Sequence, residues 1–313
     1  MTTSMTSIDA AYAHCRAIAH KHGANFSVGF RFLPKRKRQA VYAAYAFCRV
    51  ADDIADEEDV ILNRADGEGP PSLPAGISAG GPSPSARLRM TRLADWQREL
   101  DAAYGGRPTH TITIALADAL QHFAIPKSAF VALIDGCRQD MVKTRYETFD
   151  ELLQYCELVA ASISDISLAI FGYRTDAALG HGRSLATALQ LTNVTRDIGD
   201  DLTRDRVYLP AVELRQFGVE ERDLFAHTEN ERVRKLIEFQ IARAESYFRD
   251  AEPLLRELDF DARFPTLLMG GVYATVLAKL RQDPFLAVRD RLRLSPLQKM
   301  LVIGTRVLRP HFV

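Results

Sequence analysis

The 313-residue sequence lacks several things, beginning with cysteine, of which there are four. Cys15, Cys48, Cys137 and Cys156 stand far apart and form no C-x-x-C pair. That spacing argues against a zinc site or a disulfide framework and suits small buried hydrophobes in a reduced compartment. Neither sign of charge is in surplus: 40 Lys and Arg balance 40 Asp and Glu. Binding phosphates along a nucleic acid needs a basic excess, so nucleic acid is excluded as the main partner. No apolar run is long. The longest uncharged apolar stretch, Pro265 to Ala278 (PTLLMGGVYATVLA), falls short of the ~20 residues that cross a bilayer and suits a buried core helix. The first twenty residues have no basic start followed by an apolar run, so they do not read as a secretory signal. The expectation is a cytoplasmic protein with at most peripheral membrane contact. Alternating strand patterns bounded by turn pairs are also missing.

Helical patterning is what the chain does have. Apolar and small side chains make up 47% of it, too many for a disordered protein of zero net charge. They recur at spacings of three and four over Ser7–His22, Arg38–Asp56, Arg87–Tyr104, Ile112–Phe123, Lys127–Tyr146, Phe149–Phe171, Ala177–Asp201, Glu229–Leu258, Pro265–Asp283 and Ser295–Leu308. Pro34, Pro126, Pro210, Pro265 and Pro296 fall near helix starts or between helices, where a missing N–H is tolerated. The reading is all-α, with residues 1–313 forming a single domain. Gly67–Ser85 (GEGPPSLPAGISAGGPSPS), with five Gly and five Pro, reads as a flexible insertion between two helices. The basic run Lys35-Arg-Lys-Arg38 reads as a solvated helix start, with contact to anionic lipid as the alternative.

Two acidic clusters carry the chemistry. In Arg49-Val-Ala-Asp52-Asp53-Ile-Ala-Asp56, Asp52 and Asp56 are four apart and stack on one helix face. In Asn193-Val-Thr-Arg196-Asp197-Ile-Gly-Asp200-Asp201, Asp197 and Asp201 repeat that spacing, with Asn193 one turn earlier. Like charges at this spacing cost a helix a few tenths of a kcal/mol, so something must offset them. Solvent on an exposed face is one answer. A divalent cation is the other, because Mg²⁺ prefers hard oxygen ligands and is commonly held by a couple of carboxylates together with substrate phosphates. The neighbouring Arg49, Arg196, Arg204 and Arg206 favour the second answer, since guanidinium groups match phosphate oxygens in pairs, although Arg204 also suits surface ion pairing. Between the clusters, Tyr155–Phe171 is apolar and small around much of its circumference. It suits either the wall of a long apolar cavity or plain core packing.

From about His14 to Leu301, outside the Gly67–Ser85 loop, the sequence resembles the squalene/phytoene synthase family of head-to-head prenyl diphosphate synthases. Tyr45-Ala-Phe-Cys-Arg49-Val-Ala-Asp52-Asp53-Ile-Ala-Asp56 looks like the first aspartate-rich motif of that family. Leu189-Gln190-Leu-Thr-Asn193-Val-Thr-Arg196-Asp197-Ile-Gly-Asp200-Asp201, continuing into Arg206-Val-Tyr208-Leu-Pro210, looks like the second. The resemblance implies an isoprenoid-synthase-type helical bundle whose two motifs face each other across a deep central cavity. It implies two or three Mg²⁺ held by Asp52, Asp56, Asp197 and Asp201 with Asn193 assisting. Arg49, Arg196, Arg206, Tyr45, Gln190 and Tyr208 match positions near the diphosphates. Tyr155 matches a tyrosine near the reacting carbons, and Phe26 an aromatic wall residue. The chain departs from the pattern in Asn25 before that aromatic, in Ser164 where many members have Gly, and in Asp200 where many have Glu.

The implied reaction joins two prenyl diphosphates, farnesyl or geranylgeranyl, C1 to C1′ through a cyclopropylcarbinyl diphosphate, giving a C30 or C40 isoprenoid of the squalene, hydroxysqualene or phytoene type. Such products serve hopanoid, sterol or carotenoid synthesis. Proton loss, hydride or water would quench the final cation. Arg138-Gln-Asp140-Met-Val-Lys143-Thr-Arg145-Tyr146 and Asn25-Phe26-Ser-Val-Gly29 look like hydroxysqualene synthases, whereas the Arg196–Asp201 stretch looks more like phytoene synthases. NADPH is possible as the hydride source but has no support in the sequence, which holds no glycine-rich dinucleotide fingerprint, a motif the family does not use. Two rival readings remain. An all-α Mg²⁺-dependent nucleotide pyrophosphohydrolase would need a polar pocket, so a ~15 Å apolar tunnel below the aspartates separates it from a prenyl synthase. A non-catalytic family relative acting as an assembly factor should have lost motif carboxylates, and Asp52, Asp56, Asp197 and Asp201 all remain.

Overall fold

The computed structural model describes residues 7–22, 27–56, 84–289, 292, 294–308 and 311–312. Among these residues the fold is all helix, with two isolated bridges, Arg145 to Val207 and Tyr173 to Leu258, in place of strands. Phe26 and most of the Gly67–Ser85 insertion lie outside the described residues; only the last two residues of the insertion begin a described helix.

The amino-terminal half contains α1 (Ile8–His22), the short α2 (Ser27–Phe30), α3 (Lys35–Asp56), α4 (Pro84–Tyr104), α5 (Thr111–Leu120) and α6 (Lys127–Asp140). Pro34 precedes α3, and its carbonyl accepts from the Arg38 N–H at 2.9 Å, so the helix starts at Lys35 rather than at Arg38. α1 and α5 pack on α3, burying Ala40, Ala43, Phe47 and Ala51 of the latter. The basic run at the start of α3 is neither free nor solvated throughout. Lys37 Nζ donates to the Phe171 carbonyl at 2.6 Å and to Asp261 at 2.7 Å, and Arg38 donates to the Arg31 and Leu33 carbonyls.

α7 (Phe149–Cys156) is capped by Thr148, whose hydroxyl accepts from the Glu151 N–H, and it carries Asp150 and Glu151 in its first turn, as the helix dipole favours. It runs through a π-turn (Glu157–Ala161) into α8 (Ser162–Phe171), so the expected single helix over Phe149–Phe171 is present with one widened turn. Among the described residues this is the stretch long and apolar enough by composition to span a membrane, and half of it is buried inside the fold.

α9 (Ala177–Arg196) and α10 (Ile198–Leu202) replace the single helix expected over Ala177–Asp201. Asp197 leaves helical geometry at φ −100°, ψ 14°, yet the Asp197 and Asp201 N–H groups still reach back four residues at 2.8 Å. At the bend Gly199 lies where a Cβ would stand 2.8 Å from the Val288 carbonyl oxygen, so only glycine lets α10 approach this close.

α11 (Ala211–Gln216), α12 (Glu221–Phe225), α13 (Glu231–Ala251), α14 (Leu254–Glu257), α15 (Phe260–Gln282), α16 (Leu286–Arg289) and α17 (Pro296–Leu308) complete the described elements. The expected helix over Lys127–Tyr146 stops at Asp140, because the following chain pairs with 207–212: the Val207 N–H bonds the Thr144 carbonyl and the Ala211 N–H that of Tyr146, each at 2.9 Å. The expected Glu229–Leu258 helix is broken around Pro253, which has no N–H to continue the ladder. α15 starts five residues before Pro265 and carries it inside, at the cost of one bond toward the Asp261 carbonyl. α13 lies along α9, and α15 packs on both, so α3, α6, α8, α9 and α15 surround a common interior.

Candidate active site

That interior is a cavity of about 810 Å³. Its walls are Val41, Ala44 and Tyr45 of α3, Ile163 to Phe171 of α8, Gly182 to Asn193 of α9 and Met269 to Val276 of α15. The wall residues Gly182 and Asn193 are eleven helical positions apart, which at the helical rise is ~16 Å. Along that length the α8 and α9 walls carry mostly small and apolar side chains, among them Ile163, Ile166, Leu168, Leu185, Ala186 and Leu189. The residues of the two acidic motifs and their neighbours that line it are Arg49, Asp52, Asp140, Gln190, Asn193 and Arg196, and Lys21, His22, Ser164, Ser167 and Thr266 add further polar groups to the lining.

Each arginine there already faces a carboxylate. Arg49 donates to Asp52 Oδ2 at 2.9 Å and to Asp53. Arg196, buried to 6% exposure, holds Asp197 through two bonds, one of 2.6 Å from Nε. Arg206 donates to Asp56 Oδ1 at 3.2 Å and to the Asp140 carbonyl at 3.4 Å, while the more exposed Arg204 reaches Asp56 at 3.5 Å. Asp56, Asp197, Asp201, Arg206 and Tyr208 are not part of the cavity wall itself; Asp197 is tied to it through Arg196, and Arg206 and Tyr208 through Asp140.

The acidic groups are short of positive charge despite these pairings. Desolvation by the surrounding protein atoms, and after it the charge of Asp56, lifts Asp52 to about 6, although its side chain remains 52% exposed. Burial and then Asp197 lift Asp201 to about 7. Asp140 is raised as well, chiefly by burial. Asp52 and Asp201 both feel the charge of Asp140, and Asp140 feels Asp56, so the two motifs meet across this third carboxylate.

Asp140 was not a candidate from the sequence, and it is central. At the end of α6 its carboxylate accepts from the Tyr155 hydroxyl at 2.7 Å and from the Tyr208 hydroxyl at 3.0 Å. Tyr155 and Tyr208 stack at 5.4 Å between centroids, and Tyr146 stacks on Tyr208 at 5.7 Å. Burial, then Asp140, push the Tyr155 phenol well above its usual range, so it stays protonated. Tyr273 of α15 is a second residue that spacing did not reveal; it lines the cavity, and its hydroxyl bonds Asn193 and Arg196. Tyr45 also lines the cavity, its phenol pushed up to about 12 by burial.

The donor set suits a hard divalent cation. Among the described residues no three His, Cys, Asp or Glu side chains close a metal site by themselves. However, Asp201 is lifted by burial and by Asp197 despite the nearby arginines, and Asn193 Oδ1 is buried with no hydrogen-bond partner, its amide nitrogen facing Gln190 Oε1 at 3.4 Å. An oxygen-rich, under-neutralised mouth of this kind fits an ion that keeps waters and takes further oxygens from a ligand.

The departure at Ser164 is accommodated in the wall. A Cβ on Gly182 would stand 2.7 Å from Ser164 Oγ and 2.6 Å from Leu168 Cδ1, so the hydroxyl fits because the facing position is glycine. All four cysteines are free and buried, as their spacing implied.

Comparison with known proteins agrees with this architecture. Residues 19–298 match the family described as squalene/phytoene synthase. The 15-cis-phytoene synthase of Synechococcus elongatus is 30% identical over 98% of this chain and 95% of its own. Phytoene synthase of Arthrospira platensis is 31% identical over 99% and 96%. Among solved structures, squalene synthase HpnC from Alicyclobacillus acidocaldarius superposes with a TM-score of 0.75 at 28% identity, covering 89% of this chain and 95% of that one. A dehydrosqualene synthase in complex with ligand shares the fold at a TM-score of 0.79 and 24% identity, over 97% and 98%. The chain therefore belongs to the squalene/phytoene synthase family, the prenyltransferases that condense prenyl diphosphates head to head.

Proposed function

We propose that this chain joins two molecules of farnesyl or geranylgeranyl diphosphate C1 to C1′, by way of a cyclopropylcarbinyl diphosphate, to a C30 or C40 isoprenoid. The observation that carries the reading is the cavity: an apolar tunnel that ends in paired carboxylates and arginines. The same observation disfavours the nucleotide pyrophosphohydrolase, whose polar substrate would leave these walls unused.

In this reading Asp52 and Asp56 on one side, and Asn193, Asp197 and Asp201 on the other, hold Mg²⁺. Bound Mg²⁺ supplies charge neutralisation for a departing diphosphate. Arg49, Arg196 and Arg206 match diphosphate oxygens in pairs and would bind the diphosphate in place of their present carboxylate partners. Gln190 and Tyr45 orient the diphosphate end by hydrogen bonding. Tyr155, with its neighbour Tyr208, presents an aromatic face toward the reacting carbons and stabilises positive charge there. Asp140 accepts from both phenols, fixing the rings and raising the basicity of the Tyr155 oxygen for proton transfer at that atom. The apolar walls fold the chains and exclude water from the cations.

The test is incubation with farnesyl and with geranylgeranyl diphosphate, Mg²⁺ present, with and without NADPH, followed by mass analysis. A coupled C30 or C40 product is expected. Release of single-chain alcohol alone would contradict the reading, and the NADPH arm shows whether hydride quenches the last cation.

A further inference from the structure

α17 packs on α15 through Val302, which is buried, and through Arg306, whose Nε would stand 2.7 Å from a Cβ on Gly271. Its opposite side has no partner within the described fold. Leu297, Met300 and Leu301 are 70%, 68% and 61% exposed, and Gly304 follows them at the next turn. These positions, i, i+3, i+4 and i+7, form one continuous apolar stripe on a helix. Large apolar side chains scattered singly over a surface need no explanation, but a stripe at helical period does.

Two further observations say what covers it. The first is charge. From Arg289 to Arg309 the sequence holds six basic residues and one acidic, in a chain whose total is neutral, so this end is positive against a negative remainder. Between Pro296 and Leu308 there is no acidic residue at all. The second is position. Leu292 and Leu294, just before α17, line the cavity, as do Met269, Tyr273 and Val276 on the inner side of α15. The helix pair α15 and α17 therefore separates the cavity from the apolar stripe.

We propose that α17 is a docking surface for an anionic phospholipid bilayer, with Leu297, Met300 and Leu301 entering the headgroup–acyl boundary. Basic context plus an apolar helical stripe is what interfacial helices use, the charge attracting and the apolar side chains holding. The orientation sets the α15 wall of the cavity against lipid, the solvent into which a C30 or C40 hydrocarbon must pass. That last step rests on the proposed function; the docking itself does not.

The experiment is co-sedimentation of the full chain with vesicles of phosphatidylcholine alone and of phosphatidylcholine with phosphatidylglycerol, at low and high salt, beside a turnover assay in detergent. The wild-type protein is expected to bind the anionic vesicles at least about tenfold more tightly than the neutral ones, with the preference shrinking as salt rises. The triple variant Leu297→Ser/Met300→Ser/Leu301→Ser is expected to lose at least about tenfold of that binding while keeping detergent turnover. Equal binding to both vesicle types, or none, overturns the proposal on the wild-type protein alone, whatever the folding of the variant. Wild-type protein that sediments as a dimer which the triple variant dissociates, with no vesicle binding, would assign the stripe to a second copy instead. Turnover without vesicle binding defeats the docking and leaves the function standing; vesicle binding without turnover does the reverse.

Discussion

At the scale of the residue, the site is a set of carboxylates held together against their own repulsion. Asp52 and Asp201 bind their protons more tightly in the fold than as free side chains. With folded values near 6 and 7, above the ~3.9 of an unfolded aspartate, the native state holds protons that the unfolded chain has released. Stability of the metal-free protein therefore falls as pH rises from about 4 through 7 on account of these two groups. Thermal midpoints should show a wild-type decline over that window that the Asp52→Asn/Asp201→Asn double variant does not share, with Mg²⁺ offsetting the decline in the wild type alone. A decline of the same size in the variant would mean that other groups cause it. Turnover should move the opposite way to stability for Asp52→Asn, which is expected to cost at least about a hundredfold in kcat with a melting point no lower than wild type; Asp197→Asn is expected to cost as much in kcat but to lower the melting point, because it takes the charge partner from the buried Arg196. Near-normal turnover in either would remove that carboxylate from the metal assignment. Tyr155→Phe keeps the ring and loses the bond to Asp140; a fall in kcat of at least about tenfold is expected with KM within about twofold, since the proposed function assigns the phenol to the reacting carbons and not to the diphosphates. An unchanged kcat would leave Tyr155 a packing residue.

At the scale of the element, what was legible followed spacing. Asp52 and Asp56, or Asp197 and Asp201, share a helix face by arithmetic, and so their motifs stood out in the sequence. Asp140 and Tyr273 are single side chains whose importance comes from the packing of α6 and α15 against α3, α8 and α9, and no interval along the chain encodes that. The π-turn at Glu157–Ala161 was equally invisible, because it displaces one turn of hydrogen bonds while leaving the apolar pattern intact. Helix ends were missed where the reason was tertiary: α6 stops at Asp140 because 141–148 pairs with a segment sixty residues later. The close fit of Ser164 to Gly182 belongs to this scale too. Gly182→Ala would press on Leu168 Cδ1 and Ser164 Oγ, both cavity-lining side chains, and displace them into the tunnel. The ratio of kcat/KM for geranylgeranyl over farnesyl diphosphate is expected to drop in that variant, and a ratio equal to wild type would show that this stretch of wall does not sense chain length.

At the scale of the whole molecule, zero net charge conceals two separated imbalances: a carboxylate-rich mouth with its arginines, and a basic carboxy-terminal stretch bearing an exposed apolar helix. Between them runs a tunnel built from small and apolar faces of α3, α8, α9 and α15. The division of labour is physical: charge handling at one end, and exclusion of water along the rest. The central claim is that two diphosphates lose their anions here and that the two carbons so exposed become bonded to each other. Carbon-13 NMR of the product made from substrate labelled only at C1 tests it most directly. The account expects the two labels to reside in one product molecule as a directly coupled pair. Labels found singly, in an alcohol or in a chain joined through any other carbon, would contradict it.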